Sequence, residues 1–335
     1  MQMVDSDDAS VRARAATILG EIGIRNFYRP LLKLLRDPDG QVRMAALDAA
    51  PKIGNPAVWP EVVSLLDLDA AAVQAANALV KIGDAALPHL ATVFEGNWSA
   101  QARVRAAQVA GRIKGEQGIA LLARQVAFPD RSVRDQVLVA LAACGYQAPG
   151  SAGELVWQCV RDEAAHSAWI CSCLAQLWWD DLIMLQRALT TERKKSRDHV
   201  LLLLSFVCPS NAILRARENL RTGSPDKRGY ALEVLDNLLA PAMKSMLLAV
   251  VEDLPVVEVL LRLSDVLPQP KLSPQEAVDS VMGRQAMWIS EWTRATAVDA
   301  AARLEHPERR QRIAFRVPAP SPGVAATAVT ALSEV

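Results

Sequence analysis

The sequence predicts an all-α solenoid, a stack of paired helices, because it repeats with a period of 31 residues. The segment Asp8-Ala-Ser-Val-Arg12 aligns with Asp39-Gly-Gln-Val-Arg43, and the residues that follow match in type. The register returns at Ala102-Arg103 and Val133-Arg134, with a shortened copy around Ala71-Ala72 between them. A period of this size is typical of stacked supersecondary units that cannot bury their apolar faces alone. An enclosed catalytic pocket is therefore not expected.

The second helix of each copy carries a stripe of small apolar residues with the spacing of one α-helical face. The stripe has four positions in each of five copies: Val11, Ala15, Ile18, Ile22; Val42, Ala46, Ala49, Ile53; Ala71, Ala75, Ala78, Ile82; Ala102, Ala106, Val109, Ile113; Val133, Val137, Ala140, Cys144. Alanine at the middle positions lets neighbouring helices approach closely. The stripe therefore favours a stack of thin layers.

Helix boundaries are marked by three kinds of residue. Side chains that can cap a helix N-terminus precede the stripes at Asp8, Asp39, Asp69, Ser99 and Asp130. Glycines that suit a helix C-terminus follow the stripes at Gly23, Gly54, Gly83 and Gly145. Prolines, which are tolerated in the first turn of a helix, indicate the start of the first helices at Pro30, Pro60 and Pro88. The predicted unit is helix, turn, helix.

These units resemble HEAT repeats, whose second helix opens with Asp, a spacer, Val and Arg, as in Asp39–Arg43 and Asp130–Arg134. The resemblance implies a right-handed superhelix with second helices along its concave side. Residues 1–146 are expected to form regular repeats, the first of them truncated, and residues 147–316 degenerate helical repeats. Residues 317–335 are expected to form a Pro-rich turn and the start of a further truncated repeat. Since both ends fall inside a repeat, we expect a fragment of a larger protein.

A second resemblance covers about residues 190 to 305. It rests on Arg197-Asp-His199-Val-Leu-Leu, on the phrase from Lys227 to Leu239 and on the phrase from Trp288 to Ala297. These phrases are similar to the HEAT region of bacterial proteins that join an ATP/ADP-translocase-like membrane domain to a cyclic-nucleotide-binding domain. Neither of those domains is in the sequence, so their activities are not carried over.

Composition favours a neutral cytoplasmic protein. The number of Lys plus Arg residues equals the number of Asp plus Glu residues, 37 each. With no net charge, we expect no long-range attraction to nucleic acid or anionic lipid. The five cysteines include no Cys-x-x-Cys pair and indicate free thiols in a reducing compartment. The most apolar stretches are too short for a membrane span, and the acidic N-terminus is unlike a signal peptide. We expect no direct membrane insertion.

The recurrent arginines Arg12, Arg43, Arg103 and Arg134 are predicted to form a structural ladder together with Asp8, Asp39 and Asp130. A cation in the first turn of a helix opposes the helix dipole, so its return in each unit implies a nearby acceptor. That acceptor is expected to be a cap Asp or a carbonyl of the adjacent layer. Ligand binding by this row is the alternative.

Five further cations are predicted to lie on the concave wall, at Arg14, Lys52, Lys81, Arg105 and Arg112. They are the candidate binding residues, for an acidic peptide or a phosphate backbone, although charges on a solvated face are the commoner explanation. The basic tract from Glu192 to Asp198 is interpreted as an exposed loop, with a docking patch as the alternative. Trp288 and Trp292, four residues apart, are predicted to pack in the core rather than to form a contact hot spot.

No motif indicates catalysis. The sequence has no P-loop, no Gly-rich dinucleotide turn, no Gly-x-Ser-x-Gly elbow and no zinc spacing. The histidines are far apart, so no metal and no cofactor are expected. Cys171 and Cys173 lie in an apolar run, where a thiol pKa is raised.

Three hypotheses follow. The first is a non-catalytic scaffold that binds another protein or a neighbouring domain of its own chain, with its oligomeric state left open. The second is a nucleic-acid-binding or DNA-repair protein that uses the basic concave groove, which the neutral total charge makes the weaker alternative. The third is a regulatory cytoplasmic region of a nucleotide-transporter-like protein, tethered to the membrane by a missing segment.

Overall fold

The computed structural model describes residues 2–177, 182–285 and 287–304, which contain helices and no β-strand. The chain divides into two compact units. Unit 1 comprises Met1–Phe128 and Ser132–Tyr146, and unit 2 comprises Pro129–Arg131 and the residues from Gln147 onward. The predicted fold class, an all-α solenoid, is confirmed. The handedness of the superhelix stays a prediction, and the turn and truncated repeat predicted at 317–335 lie outside the described residues.

Unit 1 alternates short first helices with longer second helices. The second helices are α1 (Ala9–Ile22), α3 (Gly40–Ile53), α5 (Asp69–Ile82), α7 (Ala100–Ile113) and α9 (Arg131–Ala143). The first helices are α2 (Tyr28–Leu35), α4 (Trp59–Ser64), α6 (Leu87–Glu95) and α8 (Gly115–Ala123). Short 3-10 turns at Gln2–Asp5, Arg25–Phe27, Pro56–Val58, Leu65–Asp67 and Gly83–Ala86 complete the unit.

Side-chain caps begin the second helices. Asp8 accepts from the Ser10 amide and Asp39 from the amide of Gln41, both at 2.8 Å, and Ser99 accepts from its own helix at 3.0 Å. These caps confirm the prediction. The predicted cap at Asp69 is wrong, because α5 already begins at Asp69 and the cap position falls on Leu68, which has no side-chain acceptor. The copy around α5 is shortened, and a 3-10 turn leads directly into the helix.

Consecutive second helices of unit 1 pack closely through small side chains. A Cβ atom placed on Gly20 of α1 would lie 2.8 Å from the Cβ of Ala49 in α3. A Cβ atom placed on Gly111 of α7 would likewise lie 2.8 Å from the Cβ of Ala140 in α9. Ala49 and Ala140 belong to the predicted stripe, whereas the two glycines that they contact lie outside it.

Most of the predicted stripe is buried, including Val42, Ala75 and Val133. Ile22 is an exception, because half of its side chain is exposed at 50%. Within the described residues, α1 packs against a second helix on one side only, namely α3. The prediction that Ile22 lies in the core is therefore wrong.

Unit 2 is built around two long helices, α10 (Ser151–Leu174) and α11 (Ile183–Leu204). The others are α12 (Ser210–Thr222), α13 (Pro225–Leu238), α14 (Pro241–Val251), α15 (Val256–Arg262), α16 (Pro274–Gly283) and α17 (Glu291–Arg303). α10 packs along α11, and α14, α15, α16 and α17 also contact this pair. Helices distant in sequence therefore share one core, unlike a stack in which each layer meets only its neighbours.

None of the helices in the described ranges is both long enough and apolar enough to cross a membrane.

The close approach of α1 and α3 predicts that Gly20→Ala destabilises the protein. The added methyl group would overlap Ala49, and overpacking of this kind costs about 1–3 kcal/mol, partly offset by the better helix propensity of alanine. We expect a lower urea midpoint, measured by far-UV circular dichroism.

Gly229→Ala is the matched control. Gly229 lies inside α13, and a Cβ there would meet no atom within 4 Å. The free energy of unfolding should rise by about 0.5–1 kcal/mol. Equal shifts in the two variants would contradict the account of helix spacing given above.

Candidate functional site

The candidate site is the second-helix face, the solvent side of the second helices in unit 1. Three positions, each one turn after the last, recur on this face opposite the buried stripe. They are Ala13, Thr17 and Glu21 on α1; Met44, Asp48 and Lys52 on α3; Val73, Asn77 and Lys81 on α5; Val104, Gln108 and Arg112 on α7; Asp135, Val139 and Ala143 on α9. All fifteen are exposed or half-buried.

Two neighbouring helices present the same chemical order along this face. α5 carries Val73, Asn77 and Lys81, and α7 carries a valine, an amide and a cation at the equivalent positions. Val73 is 66% exposed, a high value for an apolar side chain in the middle of a helical array. α3 varies the order with Met44, an acid and Lys52. Across α3, α5 and α7 the face is thus apolar along one edge and cationic along the other, whereas α1 and α9 depart from this order.

Side chains of this face also contact each other from helix to helix. Arg112 Nη2 donates to Asn77 Oδ1 at 3.0 Å, and Lys81 Nζ lies 3.7 Å from Asp48 Oδ1. Gln108 Nε2 donates to Gln136 Oε1 at 3.1 Å. These contacts join α3, α5, α7 and α9 into one continuous surface.

The five predicted binding cations do not converge. Arg105 donates to the Leu66 carbonyl at 2.7 Å and forms an ion pair with Asp69, and its side chain is only 17% exposed. Arg14 is exposed on α1 at a position equivalent to Ala45 on α3, which is not a cation. Arg105 and Arg14 therefore stand apart from the other three.

Lys52, Lys81 and Arg112 form a row, because they occupy one equivalent position on three consecutive second helices. Lys52 has no hydrogen-bond or ion-pair partner among the described residues. Lys81 and Arg112 have only the contacts to Asp48 and Asn77 given above. This row, named the cation row, is the part of the predicted site that remains open to a ligand.

The recurrent arginines bind backbone carbonyls of the turn just before their own helix. Arg12 donates to Ser6 O and Asp7 O, Arg43 to Asp37 O and Pro38 O, Arg103 to Gly96 O, and Arg134 to Phe128 O, at distances from 2.6 to 3.0 Å. We expected a cap Asp or a carbonyl of the adjacent layer to accept these hydrogen bonds. The acceptors in these bonds are instead carbonyls of the preceding turn. The reason is geometric, because a helical side chain points toward the N-terminus of its helix.

One arginine of this ladder also links two repeats. Arg12 Nε and Nη2 bond the two carboxylate oxygens of Asp37 at 2.7 and 2.9 Å. The hydrogen bond from Arg12 holds the pKa of Asp37 below its ordinary value. Asp8 and Asp39 act as the helix caps described above, and Asp130 immediately precedes α9.

Unit 2 contains a buried charged network that the sequence analysis missed. Arg131 Nη1 lies 3.4 Å from Glu163 Oε1, and Arg131 Nε lies 3.3 Å from Glu192 Oε2. All three side chains are at most 5% exposed. Removing an arginine and two carboxylates from water is costly unless they are paired, so we expect loss of one partner to destabilise the fold.

Further hydrogen bonds complete the network around the two carboxylates. Glu163 accepts from Ser196 Oγ at 2.6 Å and lies 3.2 Å from His199 Nδ1. Glu192 Oε1 accepts from the Ser290 amide at 2.9 Å and from Thr293 Oγ1 at 2.8 Å. The network therefore joins Arg131 to α10, α11 and the start of α17 within unit 2.

The pKa of Glu163 reflects this environment. Burial alone would raise it, but the hydrogen bond from His199 and the charges of His199, Arg131 and His166 outweigh burial and place it far below its ordinary value. Because the charged groups are closed to solvent, the network stabilises the unit rather than offering a binding site.

The basic tract from Glu192 to Asp198 lies inside α11, so its interpretation as an exposed loop is wrong. Glu192, Ser196 and His199 follow the core spacing set by Leu185 and Leu189. Polar residues in the apolar phase of a long helix were therefore the available signal for the network. A loop at this tract would end the helix before Ser196 and His199, so their place in the apolar spacing of α11 was not recognised.

The tryptophans divide between core and surface. His166 is fully buried and stacks on Trp169, with centroids 5.4 Å apart, and lies 5.1 Å from the Trp288 ring. The Arg284 guanidinium lies 4.4 Å from the centroid of Trp169. Trp292 is 57% exposed at the start of α17, so the prediction that it packs in the core with Trp288 is wrong. Trp288 lies in the turn before the helix, where helical spacing does not apply.

The cysteine environment agrees with the sequence analysis. Burial raises the pKa of Cys171, and it raises that of Cys173 to about 12. Neither thiol is activated for nucleophilic attack at neutral pH. Within the described ranges, no group of three or more His, Cys, Asp or Glu side chains is arranged to hold a metal ion.

The order of caps, stripes and turns in unit 1 has a counterpart among known families. Residues 1–80 match the family model of HEAT repeats. This match covers about the first quarter of the chain, and α6 to α9 continue the same helix-turn-helix order beyond the matched HEAT repeats.

The chain was also compared with curated proteins and with solved structures. No curated protein matches the sequence. Nineteen chains of solved structures do, among them one from work on the "Structural Basis of Tubulin Recruitment and Assembly by Microtubule Polymerases with Tumor Overexpressed Gene (TOG) Domain Arrays". That chain is 12% identical with a TM-score of 0.36, and the alignment covers 100% of this chain and 99% of that chain. A TM-score of this size does not establish a shared fold.

The buried network predicts that Glu163→Gln destabilises the protein by about 3 kcal/mol, because loss of one charged partner leaves Arg131 incompletely compensated in the interior. The measurement is a urea titration of the intact chain. Glu218→Gln, which removes the same charge from an exposed pair with Arg221, is the control and should leave the midpoint unchanged. Equal midpoints for both variants would contradict a stabilising role for the network.

The lowered pKa of Glu163 also predicts acid sensitivity. The unfolded state, with a glutamate pKa of about 4.3, binds the proton more readily than the folded state. The contribution of Glu163 is therefore complete above that pH and is lost as the pH falls toward the folded-state pKa. Thermal melts between pH 7 and pH 3 should show a smaller loss of Tm in Glu163→Gln than in the wild type. A parallel pH dependence in both proteins would be the contrary result.

Proposed function

We propose that the chain is a non-catalytic scaffold whose second-helix face binds a segment of another protein or of a neighbouring domain. The observation that carries the proposal is the repeated order of apolar residue, polar residue and cation on α3, α5 and α7, in which Val73 is exposed and Met44 and Val104 are half-buried. Single exposed apolar residues are common on protein surfaces, but Met44, Val73 and Val104 are aligned on successive helices. A solenoid face of this kind offers an extended contact area.

The charge distribution supports a protein partner over nucleic acid. Arg105 is already paired with Asp69, and Asp48 and Glu21 lie on the same face as the cation row. A phosphate backbone requires several unopposed cations, because its binding energy comes from counterion release. The proposed partner is therefore a protein and not a nucleic acid.

The place of the chain in a larger protein is a separate prediction. The resemblance of residues 190–305 to the HEAT region of translocase-like proteins would place it beside a membrane domain. Sequencing the gene region upstream tests this idea, since a segment with several apolar spans supports it and an unrelated domain contradicts it.

Affinity capture with Val73→Asp tests the scaffold proposal. The side chain is 66% exposed, so the substitution should leave folding intact while placing an acid in the apolar edge of the face. Proteins captured from a cell extract by the wild type should be lost from this variant.

Val257→Asp is the matched control, because Val257 is 72% exposed on α15 of unit 2. It should capture the same proteins as the wild type. If Val73→Asp also captures the full set, the second-helix face is not the binding surface.

A further inference from the structure

The cation row is weakly neutralised. Asp48 is 3.7 Å from Lys81, and these side chains are 69% and 61% exposed. Glu21 occupies the equivalent position on α1, at one end of the row. An ion pair this open to water is worth little and is readily exchanged for another carboxylate. Arg112 contacts only the neutral side chain of Asn77. The row therefore retains the capacity to bind carboxylates from another molecule.

The spacing of the row selects the conformation of its ligand. Packed helices lie about 8–10 Å apart, and the alanines buried on α3, α5 and α7 are small enough for such a spacing. A polyproline II segment rises about 3.1 Å per residue with three residues per turn, so every third side chain returns to one face after about 9 Å. Its period therefore matches the distance from one cation to the next.

The amides and valines of the second-helix face can contact the parts of such a segment that do not face the cation row. Along the axes of α5 and α7, Asn77 and Gln108 are about 6 Å from the cation of the same helix on one side and from its valine on the other. Asn77 accepts from Arg112 and keeps its NH2 group, whereas Gln108 donates to Gln136 and keeps its carbonyl oxygen. A polyproline II backbone has no internal hydrogen bonds, so its N–H and C=O groups are free to bond to these two amides.

We infer that the second-helix face binds an extended acidic protein segment in which a carboxylate and an apolar residue each recur every third position. The inference rests on the proposed function and names the chemistry of the partner. The carboxylates bind Lys52, Lys81 and Arg112, the apolar side chains contact Val73 and Val104, and the two amides hold the backbone.

Fluorescence anisotropy with a labelled synthetic peptide tests the inference. The probe is a twelve-residue peptide of four Glu-Leu-Pro triplets, titrated with the full chain at low ionic strength. A peptide of the same composition, with its glutamates, leucines and prolines in separate blocks, is the control for spacing. The triplet peptide should bind about tenfold more tightly than the block peptide, and its affinity should fall with added salt.

Charge-reversal variants locate the binding site. Lys81→Glu should weaken binding of the triplet peptide by about tenfold, because it places an acid at the centre of the cation row. Lys194→Glu changes the same charge on an exposed lysine of α11 in unit 2 and should leave the affinity unchanged. Far-UV circular dichroism confirms that both variants are folded.

Three results would overturn the inference. They are equal affinity for the triplet and block peptides, equal losses in Lys81→Glu and Lys194→Glu, and tighter binding of a single-stranded oligonucleotide than of the triplet peptide. If the triplet peptide fails while extract capture still depends on Val73, the scaffold function stands and the proposed partner chemistry is wrong. If capture is also independent of Val73, both are wrong.

Discussion

The packing of consecutive second helices through glycine and alanine is the constraint on which unit 1 depends. Gly20 against Ala49 and Gly111 against Ala140 leave no room for a larger side chain. Between α3, α5 and α7 the repeated contacts are Asp48 with Lys81 and Asn77 with Arg112, which join the same positions from one helix to the next. The apolar and cationic edges of the second-helix face depend on this alignment of equivalent positions.

Unit 2 reaches stability by a different route. Its long helices α10 and α11 share a core with α16 and α17, and a buried network of Arg131, Glu163 and Glu192 lies among them. Apolar packing tolerates small shifts of one helix along another, whereas buried charges must keep their partners. The network therefore fixes the register of these helices, and loss of one member would leave its partners unpaired in the interior.

The candidate site was partly accessible from the sequence. Alignment of the repeats located Lys52, Lys81 and Arg112, because equivalent positions in stacked repeats lie side by side. It could not show that Arg105 turns to Asp69, since Asp69 begins α5 in a copy whose register is shortened. The arginine ladder was predicted to be structural, but its acceptors depend on the direction in which a helical side chain points. The apolar edge at Met44, Val73 and Val104 follows from the same alignment and was overlooked.

The sequence by itself determined the helical class, the period, the caps and the small-residue stripe of unit 1, because each depends on residues close together in the chain. Tertiary structure decided the rest. Glu192 is at once part of a basic tract and a buried ion-pair partner, and the choice depends on Arg131, which is distant in sequence. Trp288 and Trp292 share a helical spacing but not a helix, so one packs on His166 and the other faces solvent. Local pattern sets the direction of a side chain within its element, whereas burial depends on which elements pack against it.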